Sequence, residues 1–135
     1  MIKSKTVRFF NFKRLITMLV IMFSLSLSAQ TDQQVYDELV KCNIKHPKIV
    51  LAQAKLETGD YTSNLSRKHG NLFGLKGKKG YAKFNNWKES VVAYRDWVQY
   101  KYKGGDYYAF LKKIGYASDP RYIEKVKQMV KKNLD

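Results

Sequence analysis

The chain holds a single cysteine, Cys42, and only two prolines and two histidines in 135 residues. One thiol cannot close a disulfide within its own fold, so packing must hold the domain together, and Cys42 reads as a small buried apolar residue. His46 and His69 have no companion cysteine or acidic cluster at ligand spacing, so no metal site is expected. No serine or cysteine can be matched with a base and an orienting group, which argues against nucleophilic catalysis of the triad kind. Acidic residues are scarce as well. Eleven Asp and Glu face 26 Lys and Arg, for a formal net charge of +15. Such a balance points to an anionic partner, or simply to a well-solvated surface. Internal repeats, low-complexity tracts and linkers are absent, and the longest apolar run, Leu15 to Leu27, falls short of the ~20 residues a membrane-crossing helix needs.

That run sits in a recognisable setting. Lys3, Lys5, Arg8, Lys13 and Arg14 precede it, and the small residues Ser28 and Ala29 follow. This is the pattern of a secretory signal peptide over residues 1–29, with cleavage after Ala29 and no stable membrane span afterwards. Its removal takes away five positive charges and leaves a strongly basic remainder. Residues 30–135 suit one compact domain, secreted or periplasmic, in the cell envelope. Anionic envelope polymers are the expected partners of such a protein, and nucleic acid is not.

The apolar periodicity predicts a mainly α domain with a small β excursion. Val35, Tyr36, Leu39 and Val40 mark a first helix from Asp32 to Cys42, capped by Thr31 or Asp32. Pro47 suits the first position of a second helix, which runs to Thr58 and stops at Gly59. A short helix is expected from Thr62 to His69. Phe73–Lys76 and Tyr81–Phe84 flank the turn Gly77-Lys78-Lys79-Gly80 as a hairpin. Asn86 and Glu89 open what reads as the longest helix, extending to Tyr102. Asp106 caps the next, which ends at Gly115, and Asp119-Pro120 starts the last.

Glu57 stands out in this scheme. It lies in the last turn of the second helix. A partly buried carboxylate there, facing a cleft, has its charged form disfavoured by desolvation and can hold a proton near neutral pH. It could then protonate a leaving oxygen. Taken alone, Glu57 would read as an ordinary helix-end surface residue.

Its neighbours change that reading. Ala52-Gln53-Ala54-Lys55-Leu56-Glu57-Thr58-Gly59, then Asn71-Leu72-Phe73-Gly74-Leu75-Lys76-Gly77, then Trp87-Lys88-Glu89-Ser90, then Gly115-Tyr116-Ala117-Ser118-Asp119-Pro120-Arg121-Tyr122 resemble the glucosaminidase domains of glycoside hydrolase family 73, in the family's order and over roughly residues 48–131. The resemblance implies a lysozyme-like helical fold with a small β-hairpin lobe. It also implies a peptidoglycan hydrolase, an endo-β-N-acetylglucosaminidase cleaving the β-1,4 bond between N-acetylglucosamine and N-acetylmuramic acid without a cofactor. By position, Glu57 matches the family's general acid and Tyr116 an aromatic residue facing the groove. Asn71 and Phe73 match the start of the β lobe, where an amide suits sugar hydroxyls.

Most aromatic residues fall at helical-period positions and are expected in the core, but Tyr61, Tyr81, Trp87 and Tyr116 are expected near the groove. The family's pattern is broken in one respect. The hairpin segment from Gly77 to Trp87, where a second carboxylate is sought, contains no Asp or Glu. A substrate-assisted route, with the substrate's own 2-acetamido oxygen attacking the anomeric carbon, removes the need for one. Glu89 and Asp119 are accounted for as capping residues. Two alternatives stand beside this reading: an N-acetylmuramidase cutting the other alternating bond, and a non-catalytic glycan-binding protein that retains the cleft. A basic nucleic-acid binder ranks behind both.

Overall fold

The structure is a computed structural model that describes residues 29–134. The segment read as an export signal therefore lies outside the described residues, apart from Ala29. Helix α1 spans Asp32–Lys41, α2 Pro47–Thr58 and the single-turn α3 Asn64–Arg67. Strands β1 (Lys76–Gly77) and β2 (Gly80–Tyr81) form a two-stranded antiparallel sheet, with Lys76 opposite Tyr81 and Gly77 opposite Gly80. Helix α4 (Trp87–Trp97) continues into a 3₁₀ turn at Gln99–Lys101, and α5 (Tyr107–Lys113) and α6 (Tyr122–Leu134) complete the domain. No helix among the described residues is long and apolar enough to cross a membrane.

Local chemistry explains most boundaries. Thr31 and Gln34 form a reciprocal capping box at the start of α1, satisfying two N–H groups the helix leaves open. Pro47 occupies the first turn of α2, and Gly59 ends it in the left-handed conformation, its N–H donating to the carbonyl of Lys55. Asn86 caps α4, and Asp106 accepts from the N–H groups of Tyr108 and Ala109 to start α5, a cap worth about 1 kcal/mol.

Several expected boundaries are corrected. The hairpin strands are only two residues long; beyond them the Ala82 N–H still donates to the Leu75 carbonyl, and the Asn71 side chain bonds the N–H groups of Phe73 and Leu75 and the carbonyls of Leu75 and Ala82. Helix α4 stops at Trp97, so that among the described residues α6, not α4, is the longest helix. The side chain of Gln99 then turns to the backbone of Lys45, bonding both its N–H and its carbonyl. Helix α6 begins at Tyr122, after a turn in which Asp119 accepts from the N–H of Arg121.

The position of α2 organises the whole domain. Val50, Leu51 and Ala54 pack into the main core with Val35 and Leu39 of α1, Val91 and Tyr94 of α4, and Leu72 and Phe73. Ala52 lies in a smaller cluster with Tyr122 and Val126 of α6. A helix buried on several sides cannot roll. The carboxylate at its C-terminal end is correspondingly fixed.

Candidate active site

Beyond α2 the chain makes an uncommon turn. Gly59, Asp60 and Tyr61 follow one another in the left-handed region, with φ of 54°, 55° and 67°. For a residue as bulky as tyrosine this is strained, and buried contacts must hold it. Thr58 supplies one: its fully buried hydroxyl donates to the carbonyl of Ala54 and accepts from the N–H of Tyr61 at 3.0 Å.

Glu57, half-buried in the last turn before this bend, lines a cavity of about 600 Å³. Burial raises its pKa above the usual carboxylate value, and the hydroxyl of Tyr122 and the charge of Lys76 offset part of that rise. Gly74 presses against it. A Cβ built on Gly74 would lie 2.8 Å from Glu57 Oε2 and displace the carboxylate, and a φ of +65° favours glycine at this position.

The loop carrying Gly74 is held from below. Asn71 is wholly buried and its amide is fully committed: Nδ2 donates to the carbonyls of Leu75 and Ala82, and Oδ1 accepts from the N–H of Leu75 at 3.0 Å. Phe73 is wholly buried against Tyr94. The Asn71 amide is expected to meet sugar hydroxyls and Phe73 to lie in either cleft or core; the structure puts both beneath the groove, because a saturated amide and an enclosed ring have nothing left to offer a ligand.

Tyr116 does line the groove, and its hydroxyl donates to the carbonyl of Phe73. Its ring stacks on Tyr122 with centroids 5.6 Å apart. Burial, with the neighbouring Tyr122 and Glu57, pushes its pKa well up, so it stays protonated and cannot serve as a base. Its geometry is that of a strut between the α5–α6 loop and the loop bearing Gly74.

A buried polar seam runs behind the acid. The amide orientation of Gln99 is set by Lys45, whose N–H can only donate, to Oε1 at 2.8 Å. Gln99 Nε2 therefore donates to the Tyr107 hydroxyl at 2.9 Å. Tyr107 in turn gives its proton to Tyr94, 2.7 Å away, because Tyr94 spends its own on Gln53 Oε1 at 2.6 Å. Gln53 Nε2 then donates to the Tyr122 hydroxyl at 3.0 Å. The Tyr122 hydroxyl in turn lies beside Glu57 and favours its ionised form. The seam thus joins Lys45, Gln99, Tyr107, Tyr94, Gln53 and Tyr122 in one run of hydrogen bonds that ends beside Glu57.

The remaining walls include Lys76, Tyr81 and Trp97. Tyr81 and Trp97 are large apolar side chains left about half exposed, at 51% and 46%. Trp97, Lys76, Gln53 and Tyr122 were not anticipated from sequence. Gln53 carried a legible signal: a lone amide four residues before Glu57 on an otherwise apolar helix. Trp97 carried none. Tyr61 and Trp87 were expected here and instead line a different cavity, between the end of α3 and the start of α4. Among the described residues no group of three or more His, Cys, Asp or Glu could hold a metal ion.

One half-buried, proton-retaining carboxylate in an open, aromatic-walled groove can deliver a proton to a bound polar substrate. Glu57 is the only carboxylate among the groove's lining residues. Asp119 is engaged with Lys125 at 2.6 Å, Asp60 pairs with Lys55, and Glu89 accepts from the N–H of Asn85. A search of curated proteins returns no match. The family model described as Glucosaminidase, mannosyl-glycoprotein endo-β-N-acetylglucosaminidase, matches residues 33–135, nearly all of the described domain, and the chain belongs to that family.

Proposed function

We propose that Glu57 is the general acid of this peptidoglycan endo-β-N-acetylglucosaminidase. Family membership favours this specificity over the muramidase and over the non-catalytic glycan binder. The observation that carries the assignment is the raised pKa of a single groove carboxylate, held between Gly74 and the Tyr122 hydroxyl. With no second acid in the groove, the 2-acetamido oxygen of N-acetylglucosamine attacks its own anomeric carbon while Glu57 passes its proton to the departing glycosidic oxygen. Water then attacks the same carbon, opens the oxazolinium ring and returns a proton to Glu57, so configuration is retained. Tyr116 assists by fixing the Phe73–Gly74 backbone beside the acid, and the exposed faces of Tyr81 and Trp97 offer stacking surfaces for sugar rings.

Two measurements test this reading. Mass spectrometry of digested peptidoglycan should find N-acetylglucosamine at the new reducing end; N-acetylmuramic acid there would mark a muramidase. NMR of the nascent product should show retention at the anomeric carbon, and inversion would exclude the acetamido route.

Peptidoglycan is met outside the cytoplasm, and residues 1–29 provide the export signal in this reading. The basic surface holds the enzyme on anionic envelope polymers. Retention of that kind weakens with salt as charges are screened over about 10 Å at 0.1 M. Co-sedimentation with purified wall material that does not fall as salt rises would refute it.

A further inference from the structure

Gly115, Ala117 and Ser118 border the Glu57 groove, and the same residues border a neighbouring cavity of about 510 Å³ between α5 and α6. The two spaces thus adjoin, with one short loop as their shared wall. Asp106 and Asp119 line the second cavity but are occupied: Asp106 caps α5, and Asp119 holds Lys125 and the N–H of Arg121. Lys112 and Lys127 also line it. Neither forms an ion pair with a described residue, and Lys127 Nζ sits 5.1 Å from the centre of the Tyr108 ring in the same wall.

The chemistry of the cut bond says what must lie nearby. A glucosaminidase leaves N-acetylmuramic acid on the departing side, and the lactyl group of that sugar carries a peptide with free carboxylates. The peptide leaves the glycan beside the scissile bond, so it needs a sideways exit from the groove. We propose that the cavity bearing Lys112 and Lys127 receives the carboxylates of this peptide stem, so that the enzyme reads both glycan and peptide at a single cut. The proposal rests on the glucosaminidase reading above. Ammonium-to-carboxylate bonds are charge-assisted, but exposed pairs contribute little each, so their effect belongs in substrate affinity.

The test compares soluble glycan strands bearing stems with the same strands stripped of stems by an amidase, at constant ionic strength. The paired variant K112A/K127A should raise KM about tenfold on stem-bearing strands, the combined loss of two such pairs, and less than about twofold on stripped strands. K131A/K132A removes the same charge from the end of α6 and should leave both KM values within about twofold. An equal rise on both substrates would assign the effect to general electrostatics and overturn the stem site, as would no change on stem-bearing strands. Should wild-type protein release no N-acetylglucosamine ends from either substrate, the glucosaminidase reading falls, and the stem site with it. Matching melting curves for the two variants and wild type exclude misfolding.

Discussion

Two cavities of similar size lie on this domain, and they differ in one respect that matters. The cavity walled by Tyr61, Phe84, Trp87, Arg67 and Lys68 measures about 680 Å³ and is rich in rings and cations. The Glu57 groove is slightly smaller, about 600 Å³, and has comparable aromatic walls. Phe84 links them, lining the first and packing against Trp97 of the second at 5.8 Å. Of the two, the groove alone contains a carboxylate, and that carboxylate is partly desolvated, close to Gly74 and beside the Tyr122 hydroxyl. Size and aromatic content therefore do not separate the two cavities; a polar group that is costly to keep buried does, and it marks the groove as the candidate site.

The largest contrast should come from Glu57→Gln. Turnover of purified peptidoglycan should fall by about a thousandfold or more while glycan binding persists. The same variant should melt at higher temperature than wild type. Because burial raises the Glu57 pKa, the wild-type fold loses stability as pH rises through that pKa, whereas the glutamine fold does not. The gain should therefore widen with pH, and a gain that shrank with pH would contradict the burial argument.

Next in size is Gly74→Ala, which places a methyl group against Oε2 at a left-handed backbone position. It should cost kcat about 10- to 100-fold, with a stability loss of about 1 kcal/mol, measured by steady-state kinetics and chemical denaturation. Removing one tryptophan from each cavity then compares them directly. Trp97→Ala should raise KM for glycan about tenfold, and Trp87→Ala should change it less than about twofold. Equal effects would erase the distinction between the two cavities. Smallest is Tyr122→Phe. The hydroxyl favours ionised Glu57, so its loss should move the alkaline limb of the kcat profile to higher pH; a shift to lower pH would show that Tyr122 does not donate to the acid.

Much of this was legible in the residues. Caps and breakers placed α1, α2 and α5 almost to the residue, because Thr31, Pro47, Gly59 and Asp106 act on their own backbone. The place of Glu57 in a helix's last turn is local and legible in the same way, but its candidate role is legible only from the four motifs taken in order. Asn71 was recognised by position, but not in its part beneath the groove, because what it bonds depends on Ala82 eleven residues on. Trp97 and the seam through Gln53, Tyr94 and Tyr107 join separate helices, and no periodicity within one segment encodes such a meeting. Tyr61 and Trp87 were assigned by residue type, which carries no direction.

Helix α6 has a consequence for the order in which activity arises. It follows the other described helices along the chain, yet it brings Tyr122 beside Glu57 and covers the Ala52 side of α2. A chain halted or clipped before that residue keeps its glutamate but has an unfinished centre. Possession of Glu57 is therefore not enough: the carboxylate and the hydroxyl beside it meet only when α6 docks on α2, across a separation of 65 residues.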